Sequence, residues 1–245
     1  MIFPMSSRFL HTLLEIIYPK KCHGCKSRIR TPSTQDLVCG DCWSKIKINP
    51  PPFCSHCGRH LDTKRNKKNI CPECVKFQLH FDRAFSPCQY DGVLRDLIHE
   101  FKYKGKDYLS GPLSRLMTDF IEAYDFPIGD IDQIIPIPLY KSRLREREFN
   151  QAEALGSLIA KKFDRELNSV SLVRSSWKRT QTDLKKDERR SNVLGNFSIK
   201  NSSGLRNKNI LLIDDVLTTG ATCSEAASVL KKAGAGIVFV LTLAN

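Results

Sequence analysis

The stretch best equipped for chemistry in this 245-residue chain runs Ile210-Leu211-Leu212-Ile213-Asp214-Asp215-Val216-Leu217-Thr218-Thr219-Gly220-Ala221-Thr222. Four apolar residues in succession read as a strand buried on both faces. Asp214 and Asp215 then present two carboxylates, spaced to accept from neighbouring ribose hydroxyls. Thr218, Thr219 and Thr222 add hydroxyl donors, and Gly220 lets the backbone curl so that successive N–H groups converge on an anion. The helix that follows contributes its positive end. One polar residue would suffice to cap a helix. Five of them after a single buried strand point to a bound sugar phosphate.

The second chemical constellation lies in the first eighty residues. Eight of ten cysteines form four Cys-x-x-Cys turns: Cys22/Cys25, Cys39/Cys42, Cys54/Cys57 and Cys71/Cys74. Such a turn aims two thiolates at one ion, and two turns complete a tetrahedral zinc shell. The spacing Cys-x2-Cys-x13-Cys-x2-Cys occurs twice, an internal repeat joined through Pro50-Pro51-Pro52. Sequential pairing follows from the repeat, with an interleaved cross-brace as the alternative. A disulfide framework would need an oxidising compartment, and the start of the chain lacks a compact signal-peptide core and cleavage site. A cytoplasmic setting and two structural zinc ions are therefore expected. Closed thiolate shells fold a domain and leave no position for catalysis. His23, His56 and His60 are then surplus to ligation and expected at the surface, while Cys88 and Cys223 are expected as small buried hydrophobes.

Positioning these groups requires two units. Residues 1–80 are expected to hold a short amphipathic helix (Leu10, Leu13, Leu14 and Ile17 on one face) and a double zinc ribbon. Residues 81–245 are expected to be an α/β domain, a mostly parallel sheet flanked by helices, with the acidic pair at a strand's C-terminal end, where open α/β sheets bind ligands. Strands are predicted near 83–90, 132–137, 210–214 and 236–243, and helices near 92–103, 112–124, 150–163 and 222–233. The stretch 165–200 shows no clear period. No apolar run reaches the roughly 20 residues needed to span a bilayer.

Net charge is +13, with 14 basic against 5 acidic residues in 1–80 and 15 against 9 in 131–200. This excess suits polyanions through a salt-sensitive field, or serves only as a solvated surface. Tyr140, Lys141 and Arg143, with Arg145 and Arg147 beyond, lie in a basic loop after the strand ending at Pro136-Ile137-Pro138. That loop could bind pyrophosphate or a nucleic-acid backbone. The polar segment 179–197 reads as a lid over the site. Trp43, Phe53, Phe77 and Phe81 are either base-stacking platforms or the small core of the ribbons.

Ile210 to Thr222 resembles the phosphoribosyl pyrophosphate (PRPP) motif of type I phosphoribosyltransferases. By that resemblance Asp214 and Asp215 meet the ribose 2′- and 3′-hydroxyls, and Thr218 to Thr222 cradles the 5′-phosphate. Further runs extend the likeness: His99-Glu100-Phe101-Lys102-Tyr103-Lys104-Gly105, Pro136-x-Pro138, Arg143 to Gln151, and Gln181-x-x-Leu184-x-x-x-x-Arg189-x-x-Asn192-Val193. With the cysteine turns they resemble the ComF (competence protein F) family, a double zinc ribbon joined to a type I phosphoribosyltransferase-like domain. One departure is Glu148, where the family commonly has glycine in Arg-Gly-Phe-Asn-Gln; an acid there lowers the local positive field.

The resemblance implies a PRPP or ribose 5-phosphate site, Mg²⁺ accompanying PRPP, single-stranded DNA handling during natural transformation, and a helicase or other DNA-processing partner. The alternative is an active phosphoribosyltransferase, in which Asp214 and Asp215 serve catalysis and phosphoribose passes from PRPP to a nitrogen base. No stretch reads as a pocket for that base.

Overall fold

In the computed structural model, residues 20–29, 37–62, 69–124, 126–175 and 195–245 are described. The N-terminal amphipathic helix and most of the expected lid, including Gln181 to Val193, lie outside them.

The ribbons hold little regular structure, and their sequence repeat is a structural repeat. In each, a short helix follows the third cysteine: α1 (Gly40–Ser44) and α2 (Pro72–Lys76). The amide of that cysteine donates to the first cysteine's sulfur, Cys39 N to Cys22 Sγ at 3.2 Å and Cys71 N to Cys54 Sγ at 3.3 Å.

The rest of the chain supplies β1 (Arg83–Phe85), α3 (Gly92–Tyr103), α4 (Ser110–Ala123), β2 (Gln133–Pro136), α5 (Lys141–Arg147), α6 (Gln151–Phe163) and β3 (Glu166–Leu167). Then come β4 (Leu172–Arg174), β5 (Phe197–Ile199), β6 (Ile210–Val216), α7 (Ala221–Lys232) and β7 (Val238–Ala244). Five strands form one wholly parallel sheet in the order β1-β7-β6-β2-β3. β4 and β5 pair antiparallel as a separate hairpin. Helices α4 and α6 pack on each other and on the central strands, while α7 packs against β6, β7 and β5.

Local chemistry explains the helix starts. Asp91 accepts from Gly92 N at 2.7 Å ahead of α3, and Asn150 accepts from Ala152 N at 3.2 Å ahead of α6, each satisfying a donor the helix leaves open. In α3, Leu94, Leu97, Ile98 and Phe101 are fully buried at i, i+3, i+4, i+7 spacing. β6 and β2 are central, and their apolar stretches, Ile210 to Ile213 and Ile134 to Ile135, are fully buried, as in strands covered on both faces.

Two expectations need correction. The basic loop after Pro138 is largely the helix α5, because Lys141 to Arg147 contains no breaker. The strand foreseen over 83–90 is shorter, since Pro87 brings no amide to the ladder; a single bridge from Cys88 to Ala244 continues its line. The unclear stretch holds β3, β4 and β5, each too short for a period to show.

The ribbons are fastened to the sheet by backbone and core. Asn49, almost fully buried, donates from its backbone to Pro87 O at 2.7 Å and from its side chain to Ser86 O and Gly58 O. Ala84 N donates to His56 O at 2.7 Å. The buried cluster runs from the cysteines through Phe81 into the sheet. Among the described residues, no helix is long and apolar enough to cross a membrane.

Candidate functional site

β6 delivers Asp214 and Asp215 to its C-terminal end. Asp214 sits in register with Thr242 of β7, and Leu217 N closes the turn on Ala244 O at 2.8 Å. The Asp214 carboxylate folds back to accept from Asp215 N at 2.9 Å, with its other oxygen 3.8 Å from Cys223 Sγ. Asp215, buried, meets Lys102 Nζ of α3 at 2.7 Å. The Asp214 charge is also felt at that ammonium, although neighbours on a strand point to opposite faces and only Asp215 contacts it.

Burial first, and the Asp215 charge second, pushes the Asp214 carboxyl up to about 7, against the pull of Lys102 and Arg174. Burial alone would depress the Lys102 ammonium; the charge and hydrogen bond of Asp215 overcome it and hold it above the usual lysine value.

The turn behaves as its residues require. Gly220 adopts φ of 74°, the left-handed region glycine enters without strain, and starts α7. Thr218 is exposed, Thr219 and Thr222 partly so, and Thr219 Oγ1 accepts from Ala221 N at 3.3 Å. Leu217 belongs to the core, so it contributes only its backbone to the surface of the turn; Val216 and Ala221 are partly buried.

Helix α5 divides the basic residues. Arg143 and Arg147, four apart, share a face, and both act on the Arg174 guanidinium, which also feels Asp214. Lys141 and Arg145 are exposed, and no described contact ties them to the acids. Tyr140 caps α5, its carbonyl accepting from Leu144 N at 2.9 Å. The Arg147-to-Gln151 run is a positioning device. Buried Gln151 accepts from Arg147 Nη1 at 3.2 Å, Tyr103 lies under the same guanidinium, and Asn150 donates to Ile137 O. Glu148 ends α5 at φ of 67°, which is why glycine suits this position.

Three site residues had escaped sequence reasoning. Lys102 lay in a quoted run without a role. Arg174 is one of five arginines in the stretch 165–200; it lies over Phe197, its buried Nε has no hydrogen-bond partner among the described residues, and burial lowers its guanidinium's proton affinity. Arg59, just past a cysteine turn, donates from Nη2 to Thr218 O at 3.1 Å. No sequence pattern marks the last two.

The cysteines assemble as Cys22, Cys25, Cys39, Cys42 and as Cys54, Cys57, Cys71, Cys74, with ligand atoms in each set within 4.8 Å of one another. Pairing is sequential, and the cross-brace is excluded. Tetrahedral zinc with bonds of about 2.3 Å requires sulfurs about 3.8 Å apart. Cys25 and Cys39 stand at 3.7 Å, and Cys57 and Cys71 at 3.6 Å. The sets fit the ion.

His23 corrects its surface assignment. Its Nδ1 donates to the Glu100 carboxylate of α3 at 2.6 Å, and Lys26 and Lys104 join the same carboxylate. Burial would raise the Glu100 carboxyl, but these hydrogen bonds hold it down to about 2. His56 packs on Phe81, while exposed His60 meets Pro50 O. Cys88 and Cys223 are buried as expected. Phe81 is core, and Trp43 and Phe53 pack against the core; Phe77 is partly buried, with Lys76 Nζ over its ring.

Comparison with known proteins agrees with this architecture. Residues 13–75 match a double zinc ribbon domain and 151–245 a phosphoribosyl transferase domain, so the fold joins those two classes. The chain is 29% identical over 231 residues to "Competence protein F" of Haemophilus influenzae, covering 92% of this chain and 96% of that one. It is 30% identical over 208 residues to "Competence protein ComFC" of Bacillus subtilis, covering 81% and 80%. It is 26% identical over 222 residues to "DNA utilization protein YhgH" of Escherichia coli K12, covering 84% and 96%. The chain belongs to the ComF family.

Proposed function

We propose that the chain is a PRPP or ribose 5-phosphate binding protein that handles single-stranded DNA during natural transformation in the cytoplasm, together with a DNA-processing partner such as a helicase. The observation that carries this reading is the meeting of Asp214, Asp215 and the Gly220 turn at the end of one buried strand. Asp214 and Asp215 accept from the ribose hydroxyls. The N–H groups and hydroxyls of Thr218 to Thr222 hold the 5′-phosphate at the start of α7. Lys102, Arg143, Arg147 and Arg174 surround the acids with cations suited to further phosphates, whether pyrophosphate or the DNA backbone. A carboxyl raised toward 7, such as Asp214, is one that Mg²⁺ arriving with PRPP would readily deprotonate; the metal would supply charge neutralisation for the pyrophosphate. The names of the relatives support the DNA role, and the basic excess of residues 1–80 supports contact with a polyanion.

The cations beyond the acids also favour a second reading, turnover. A nitrogen base would bond to the anomeric carbon as pyrophosphate departs with the bonding pair, its charge met by the arginines.

The test is titration of wild type and Asp214→Ala/Asp215→Ala protein with PRPP and with single-stranded DNA at two salt concentrations. Loss of PRPP with retention of salt-sensitive DNA binding means two sites. Loss of both means that the pocket serves DNA. Wild-type protein that binds neither sinks the reading, and pyrophosphate release with any base establishes turnover.

A further inference from the structure

We propose that Arg59 of the second zinc ribbon is a positioning residue for the ribose-phosphate turn. It locks the Thr218–Thr219 peptide in the orientation that an anion needs, so affinity at the turn depends on a folded ribbon. The proposal rests on the reading of that turn as the phosphate cup.

The turn is anchored at its two ends. Leu217 N bonds Ala244 O, and Gly220 O accepts from Ser224 N, both at 2.8 Å. Between them, Arg59 Nη2 to Thr218 O at 3.1 Å is, among the described residues, the one hydrogen bond reaching Thr218 or Thr219 from outside the turn. In a trans peptide the carbonyl and the following N–H point in opposite directions. Drawing the Thr218 carbonyl toward the ribbon therefore aims the Thr219 N–H away from it. A flipped peptide would turn a carbonyl oxygen toward the anion instead, replacing attraction by repulsion.

Arg59 can do this because its own backbone is fixed. Arg59 O accepts from Cys54 N at 2.7 Å, closing the first cysteine turn of the ribbon. Gly58, at φ of 68°, presses so closely on β1 that an added Cβ would stand 2.3 Å from Ala84 O. The segment leaving the ribbon backs the same turn: Leu79 and Phe81 lie behind Gly220, and His80 N donates to Ser224 Oγ at 3.0 Å. Zinc holds Cys54 and Cys57, the cysteines hold Arg59, and Arg59 holds the turn.

The experiment uses the full zinc-loaded chain and compares wild type with Arg59→Ala, Arg59→Lys and Lys76→Ala. Lys76 is an exposed cation of the same ribbon, on α2, without contact to the turn. Amide hydrogen exchange is read across 217–222 without ligand, PRPP affinity by calorimetry, and zinc by metal analysis. Loss of one charge-assisted hydrogen bond should speed exchange and weaken PRPP about tenfold in Arg59→Ala, with two zinc ions retained. Arg59→Lys should recover part of both, and Lys76→Ala should match wild type. Unchanged exchange in Arg59→Ala overturns the proposal, as does equal PRPP affinity where wild type binds. Should Arg59→Ala lose zinc, Arg59→Lys with full zinc decides by the same readings. If wild type binds no PRPP, the phosphate reading fails, and exchange alone still judges whether Arg59 orders the turn.

Discussion

Asp214→Asn should alter the pH dependence of stability in a calculable way. The wild-type carboxyl has its folded value raised from 3.8 to about 7, burial being the main cause. A group raised in the folded state contributes stability that is fully present below its unfolded value and is lost as pH climbs through the folded one. Between pH 5.5 and pH 8 that loss amounts to about 2 kcal/mol. Asparagine keeps the shape and cannot ionise, so the variant escapes it. The assay is thermal or urea unfolding of both proteins, zinc-loaded, across this range; taking the difference cancels titrations common to both. Asp214→Asn should gain on wild type by about 2 kcal/mol from pH 5.5 to pH 8, or roughly 4–8 °C in Tm. A difference that stays constant with pH would mean that Lys102 and Arg174 keep Asp214 ionised throughout. An Asp214→Asn protein that loses ground toward pH 8 would mean a lowered carboxyl. Either result refutes the reasoning.

Lys102→Met should cost about 3 kcal/mol in urea unfolding at pH 8, because it strands the buried Asp215 carboxylate beside Asp214; a cost near zero would show the pair to be solvated. Glu148→Gly should stabilise by about 1 kcal/mol, since glycine enters the left-handed conformation found there without strain; calorimetric melting decides, and a lower Tm counts against it. Cys54→Ser with Cys57→Ser should reduce bound zinc from two ions per chain to one and weaken PRPP binding, as measured by metal analysis and titration. Retention of both ions would contradict the four-sulfur assignment.

Much of this was legible in the residue order, because the signals were local. Four apolar residues followed by two acids and a Thr-Thr-Gly-x-Thr turn carry their geometry in a dozen consecutive positions, and they form β6, the turn and the start of α7. Cysteine spacing likewise named the eight ligands, since each turn aims its own thiolates, but it left sequential and cross-braced pairing open; the folded positions of the sulfurs decided for the sequential sets. Helices α3 and α6 came within a residue of expectation, and in the structure each starts at a capping side chain and buries one face. The strand foreseen over 83–90 was overlong where Pro87 interrupts the ladder, and α5 passed for a loop because charge hid a sequence with no breaker.

What the sequence by itself determined were the parts whose chemistry is written in neighbouring residues: the acid pair, the turn, the Cys-x-x-Cys turns and the parallel α/β frame. Only the tertiary structure decided which distant cations serve them. Lys102, Arg174 and Arg59 come from a helix, a hairpin and a zinc ribbon respectively, and each reaches the site from more than thirty residues away along the chain. A long-range ion pair or a carbonyl contact leaves no period or spacing behind, because folding alone brings its two ends together.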